Sequence, residues 1–187
     1  MEIVDSATGT TAQVDSNRRL QTRSVTESEI SSVSSLASSS FVIYGRRDFA
    51  AANTDEHILY VKYTGSKILK IASITFSSNS DLGKAELFFD TVYTSGGTAL
   101  STDVFVHNQN RRSAKPLDII AYHGGTTLVM TNNANKEALD VRMSKKTYTH
   151  TFGGIQLGKN DTIGVTGSVG VIGEKIRVMV ECFEVDL

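Results

Sequence analysis

From Phe41 onward, apolar and polar residues alternate with the period of two that sends successive side chains to opposite faces of a strand. Ile58 to Tyr63 and Ile68 to Phe76 show this most clearly, with a break at Gly65 and Ser66. Further strands are predicted at Ala85 to Tyr93, Leu117 to Tyr122, Thr126 to Thr131, Leu139 to Met143, Tyr148 to Phe152, Thr162 to Thr166 and Lys175 to Asp186. Turn-forming residues separate them: Ser95 to Gly97, Gly124-Gly125, Asn132-Asn133, Gly153-Gly154 and Lys159 to Asp161. No later stretch sustains a helical apolar period, and the only proline, Pro116, leaves strand interiors uninterrupted. This predicts an all-β body, an antiparallel sandwich or barrel.

Residues 1–40 have a different texture. Five acids and three bases (Arg18, Arg19 and Arg23) accompany few large apolar side chains, and nine of the seventeen residues from Ser24 to Ser40 are serine. Such a stretch buries too little apolar area to offset its ordering entropy unless something else covers it. The chain therefore divides into an extended N-terminal arm with a Ser-rich linker, 1–40, and a β domain, 41–187. Thr26 and Glu29 form a capping-box pair, and Ile30, Val33 and Leu36 recur at helical spacing, so a short helix over 27–37 is admissible.

Composition narrows the function without naming it. The 187 residues are long enough for a core that needs no disulfide or metal staple, and Cys182 is the only cysteine. The formal charge of −1 excludes the broad basic excess of a nucleic-acid coat. No run of about 18 apolar residues is present, so neither a membrane span nor a membrane partner is expected. Met1 to Asp5 lacks the basic and apolar regions of a signal peptide.

The chemical motifs are mostly near misses. Gly153 to Asn160 almost spells a phosphate loop, but Asn160 stands where a Ser or Thr is needed and a strand follows in place of a helix. Gly164, Gly167, Gly170 and Gly173 recur every third residue and read as a flexible or bulged hairpin loop before the last strand. His57, His107, His123 and His150 are too scattered to form a local metal pair. No Gly-x-Ser-x-Gly elbow is present, and the serines crowd into the arm. Cys182 sits in a strand-like alternation and reads as a buried side chain. The basic doublets Arg46-Arg47, Arg111-Arg112 and Lys145-Lys146 read as solvated loops. No catalytic, cofactor or metal residue is expected. The long segment Thr94 to Lys115, carrying His107, Asn108, Asn110, Arg111 and Arg112, is the candidate recognition loop, since loops of that size are uncommon in compact domains unless they bind something; a plain surface crossover between the sheets is the equal alternative.

Two regions carry a resemblance to a known family. Asp5 to Leu20, containing Asp5-Ser-Ala-Thr-Gly9, Val14-Asp15 and Asn17-Arg-Arg-Leu20, is followed by Thr22 to Glu29. Later come Ile58 to Tyr63, Ile68 to Phe76, the Thr98-Ala-Leu loop with Asn108 and Asn110, Ile155 to Ile163, and Glu181 to Glu184. In order and texture this resembles small virion proteins of tailed bacteriophages; the glycine content of 164–173 and its lack of proline depart from that pattern.

The resemblance implies a jelly-roll-like β-sandwich on the outer capsid surface, without catalytic residues. It implies a decoration or cement protein, commonly a homotrimer, whose partners are the major capsid protein and itself. Candidate capsid anchors in the arm are Ile3, Val4, Arg18, Arg19, Leu20 and Arg23. The alternative is a receptor-binding or fibre-tip module, in which loops 94–115 and 164–173 meet a host glycan and Tyr93, Tyr122, His107 and the Asn residues form a shallow sugar platform. An enzyme is the third reading. Asp81, Glu86, Asp90 and Asp118 are available as acids, but no spacing singles out a pair.

Overall fold

The computed structural model describes residues 39–100, 106–110, 115–124 and 127–186, together with the backbone of three short N-terminal strands. The chain divides into two compact units, Met1–Ile30 and Ser31–Leu187. In the first, β1 (Glu2–Val4), β2 (Thr11–Val14) and β3 (Leu20–Gln21) pair as an antiparallel meander. Ile3 lies opposite Ala12, and Val14 opposite Leu20. The front segment thus has strand pairing of its own, which its composition did not announce. The admissible helix over 27–37 lies outside the described residues.

The second unit is built on eight long strands. They are β4 (Ser40–Asp48), β5 (Glu56–Tyr63), β6 (Ile68–Ser78), β7 (Gly83–Phe89), β13 (Glu137–Met143), β14 (Thr147–Leu157), β15 (Thr162–Ser168) and β16 (Lys175–Val185). One sheet runs β4-β16-β6-β14 and the other β5-β15-β7-β13, all antiparallel. Numbered among the eight, the orders are 1-8-3-6 and 2-7-4-5, the double Greek key of a jelly roll. The expected fold class is therefore the one observed.

Inward-facing residues of both sheets make the core. Phe41, Ile43, Ile74, Phe76, Val178 and Val180 from the first sheet pack on Leu59, Val61, Tyr63, Leu87, Ile163 and Val165 from the second. Gly45 lets the sheets approach, since a Cβ there would stand 3.1 Å from that of Leu59. Register sets a polarity. Ser40 pairs with Phe183 at the end where the described body begins, and Asp48 pairs with Lys175 at the far end. The turns 79–82, 144–146 and 169–174 lie at that far end. Ser80 ties them: its Oγ accepts from the backbone N–H of Leu82 and of Gly170 (both 3.1 Å), and its carbonyl accepts from Lys145 N–H (2.7 Å).

Between β7 and β13 the chain makes its longest excursion. It adds β8 (Val92–Ser95), β9 (Thr98–Ala99), β10 (Val106–Asn108), β11 (Ile119–His123) and β12 (Val129–Thr131). Strand β10 extends the first sheet beside β4, while β11 and β9 extend the second beside β5. Strands β8 and β12 pair only with each other.

Several sequence expectations are corrected. Ala85 to Tyr93 is two strands in different sheets, because Asp90 turns the chain at φ +53°. Gly153 and Gly154 interrupt no strand: β14 runs through them with a register shift between Thr151 and Ile155. The glycine run 164–173 is only half a loop. Gly164 and Gly167 are strand residues whose Cβ atoms would strike Thr91 Oγ1 (2.5 Å) and the Lys84 carbonyl oxygen (2.4 Å), so close approach requires glycine at both. Arg46-Arg47 is not a solvated loop. It lies in β4, and Arg47 is buried, with Nε donating to Glu56 Oε2 (2.5 Å) and Nη1 to the Gly124 carbonyl (2.7 Å).

Candidate functional site

The outer face of the second sheet carries a second, smaller apolar cluster. Tyr60 on β5 is buried there, although Leu59 and Val61 on either side of it face the main core. The β8/β12 ribbon supplies Tyr93 and Met130, Leu128 precedes β12, and Tyr122 comes from β11. Tyr93 and Tyr122 stack with centroids 4.4 Å apart and planes 11° from parallel. Tyr60 tilts against both, at 5.5 Å from Tyr93 and 6.4 Å from Tyr122.

The base of the ribbon is pinned to the sheet. Thr162 Oγ1 donates to the Thr91 carbonyl at 2.8 Å, and Thr91 sits over Gly164, where any side chain would displace it. Tyr93 donates its hydroxyl to the Gly96 carbonyl at 3.0 Å. These bonds hold the aromatic group without help from flexible surface contacts.

Beside the tyrosines opens a cleft of about 590 Å³. Lys62, Ile120 and Thr162 extend its floor along the sheet, Asp90 and Val92 form the ribbon wall, and Asn160 closes one end. Val92 and Ile120 are 62% and 47% exposed, a large apolar offering for a solvent-facing surface. Burial raises the pKa of the Tyr60 and Tyr93 hydroxyls above the ordinary tyrosine value, and proximity to Tyr122 adds to it. Both hydroxyls therefore stay protonated, and able to donate, throughout the neutral range.

The sequence candidates are only partly brought together. Tyr93 and Tyr122 meet as expected of a sugar platform, but His107 does not join them. It lies on β10 in the first sheet, edge-on to Tyr44 at 5.7 Å. Asn108 and Asn110 build their own turn, with Asn110 N–H donating to Asn108 Oδ1 at 2.9 Å. Arg111 and Arg112 lie outside the described residues. Of the arm candidates, Ile3, Val4 and Leu20 fall on β1 and β3, while Arg18, Arg19 and Arg23 lie outside the described residues.

The acids do not converge on a reaction centre. Asp81 pairs with Lys145 at 2.7 Å and Asp90 with Lys136 at 3.6 Å. Asp118 lies just before β11, its carbonyl accepting from Thr64 N–H at 2.9 Å. Among the described residues, Glu86, Glu137 and Asp140 form one carboxylate group tight enough for an ion. Lys84 serves it instead, with Nζ 2.7 Å from Glu86 and 4.0 Å from Asp140. The hydrogen bond to Glu86 holds the lysine above its ordinary value.

Glu184 is a buried carboxylate with a structural task. It accepts from the Tyr63 hydroxyl at 3.0 Å and from Lys115 Nζ at 2.6 Å, tying the end of the excursion to the body. The histidines are dispersed. His57 meets the Leu128 carbonyl, His123 the Arg46 carbonyl and His150 the ring of Phe152. Cys182 is buried and free, as its alternation predicted, and burial pushes its thiol far above the usual range. The Gly153 to Asn160 run is a strand and then a tight turn, closed by Gly158 N–H to Asp161 Oδ2 at 2.7 Å.

Sequence reasoning missed Tyr60, Lys62, Asn160 and Thr162. One signal was present for Tyr60: Ile58 to Val61 is apolar on both faces of the strand, the mark of a sheet covered on both sides. No protein-family model, curated protein or solved structure matches the chain.

Proposed function

We propose that this chain is a structural protein of the bacteriophage virion exterior, a capsid decoration or cement protein. On this reading the N-terminal segment binds the major capsid protein, and the jelly-roll body associates as a homotrimer on the outer capsid surface. The protein works by adhesion and carries out no reaction. The observation that carries the reading is the two-part build: a self-contained β body preceded by a small separate unit poor in large apolar residues. Such a front segment gains its stabilising contacts from a partner surface. Linking three of them through one oligomer raises avidity for a symmetric lattice through effective concentration.

The far end of the body supports the self-association. Leu82, Val171 and Ile172 are large apolar residues left exposed there. The turns that carry them are fixed by the Ser80 hydrogen bonds, so the surface is presented without an ordering cost.

The test is capsid loading. Deleting residues 1–25 should abolish binding to empty capsids while circular dichroism still reports a folded β body. Loading of the truncated chain at full-length affinity would refute the capsid-anchor assignment. Light scattering of the intact chain should return a trimer mass, and a monomer would remove the homotrimer from the account.

A further inference from the structure

We propose that the cleft beside Tyr60, Tyr93 and Tyr122 is a binding site for a neutral saccharide of two or three pyranose rings. This assignment does not depend on the virion reading, because it rests on the chemistry of the outer face of the second sheet alone.

A sugar ring presents an apolar C–H face and an equatorial belt of hydroxyls. A site for it needs an apolar or aromatic patch next to several hydrogen-bonding groups with spare capacity. The cleft supplies the first with Tyr122, Ile120 and Val92. For the second, Lys62 and Asn160 make no side-chain hydrogen bond or ion pair with any described residue.

Tyr60 adds an independent observation. It is 95% buried, since only 5% of its surface is exposed, yet its hydroxyl has no hydrogen-bond partner among the described residues. No buried side-chain oxygen or nitrogen among those residues is both sealed from solvent and unpartnered, so this hydroxyl opens into the cleft it lines. A buried phenol with an unspent donor is satisfied by water or by a ligand hydroxyl.

Charge selects the ligand. Lys62 is the one cation lining the cleft, and Asp90, the one anion, also pairs with Lys136, so no cluster of cations gathers there to favour a sulfated, sialylated or uronic sugar. A neutral hexose oligomer is also matched in size, since about 590 Å³ holds two to three rings. The cleft is open along the sheet, which suits an internal stretch of a longer chain as well as its end.

Tyrosine fluorescence gives a direct readout. The protein has six tyrosines and no tryptophan, so the emission is not masked, and half of the tyrosines sit at this site. The full chain should be titrated with lactose, maltose and cellobiose, with sialyllactose as the charged comparison. Saturable binding of at least one neutral disaccharide, at roughly millimolar affinity, is expected for so open a site.

Tyr122→Ala should weaken that binding at least about tenfold. Because this variant removes part of a packed cluster, Lys62→Ala and Asn160→Gly provide the second arm, glycine being chosen because Asn160 sits at φ +75°. Each deletes a side chain with no hydrogen-bond or ion-pair partner among the described residues, and each should weaken binding about threefold or more at nearly unchanged melting temperature. Tyr44→Ala, on the opposite face, should bind like the parent chain.

Absence of saturable binding to all three neutral disaccharides would overturn the assignment. So would binding left unchanged by Lys62→Ala and Asn160→Gly together, and binding of sialyllactose alone would overturn the neutral class. Capsid loading is a separate measurement, so loss of one proposal leaves the other standing.

Discussion

The two sheets of the body share one core and differ in what lies outside it. The first carries no ribbon of its own among the described residues. Thr75 pairs with Thr149 through their hydroxyls at 3.0 Å, Ser73 donates to Glu181 at 2.7 Å, and Tyr44 meets the edge of His107 and lies opposite Met179. The second carries a ribbon, a tyrosine cluster and a cleft, all outside the eight framework strands or packed on them from outside. Both inner faces are spent on cohesion, as any sandwich requires. The difference is made by the excursion between β7 and β13, which lays its ribbon over the outer face of the second sheet.

The largest break in this comparison should come from Met130→Ala. Met130 is buried beneath the ribbon, in a cluster separate from the main core. Removing it deletes apolar contact and leaves space, at a cost of about 2–3 kcal/mol, since a peripheral cluster relaxes more readily than a central one. The loss should be local. Amide exchange in 92–95 and 129–131 should accelerate strongly while β16 keeps its protection. Equal acceleration in β16 would show that the ribbon and the framework unfold as one unit, and the contrast between the faces would lose its energetic meaning.

The framework was legible because its strands obey the period-two rule and their breakers are ordinary turn residues. Ile58 to Tyr63, Ile68 to Phe76 and Lys175 to Asp186 all fall within observed strands or one residue past them. The first framework strand was not singled out, because Gly45, Arg46, Arg47 and Asp48 look like the opening of a loop. In the fold, Gly45 is there for sheet contact and Arg47 is neutralised by Glu56, a partner nine residues on that no local pattern announces. The site was half legible. Tyr93 and Tyr122 stood out as aromatics near loops, but Lys62, Asn160 and Thr162 reach them only through strand pairing, where Thr162 aligns with Lys62. His107 was misplaced for the same reason: adjacency in the loop said nothing about which sheet would capture β10.

Alkali should strain the two sheets at different points. Cys182 in the first and Tyr63 in the second are both buried, and burial raises the pKa of each well above its unfolded value. In the unfolded chain the thiol ionises near pH 8.5 and the phenol near pH 10. A group with a raised folded value gives its full stabilisation below the unfolded value and loses it as pH climbs. Stability should thus be flat to about pH 8.5, then fall by up to about 1.4 kcal/mol per pH unit as the thiol term enters. The slope steepens above about pH 10 with the phenol. Cys182→Ala should remove the first part of this decline and leave the second. Urea midpoints measured across that range decide it, and an unchanged onset in the variant would place the first loss elsewhere.

The smallest effect sharpens the comparison most. Tyr44 is a large aromatic on the outer face of the first sheet, 39% exposed, and touches His107 edge-on without taking part in either core cluster. An exposed aromatic of this kind is often taken for a binding residue. Its setting argues otherwise: Met179 lies opposite it on the same face, and among the described residues no ribbon rises beside it as a second wall, so a ligand would keep most of its water. Truncation to alanine should shift stability by less than about 0.5–1 kcal/mol, the range of surface positions that lose a single aromatic contact. The same truncation at Tyr122 removes a stacked partner and one wall of the cleft. If both substitutions cost the same in the unfolding midpoint, the stack between Tyr93 and Tyr122 contributes no more than an ordinary surface ring, and the ribbon must be held by Thr91, Thr162 and the Leu128–Met130 contacts alone.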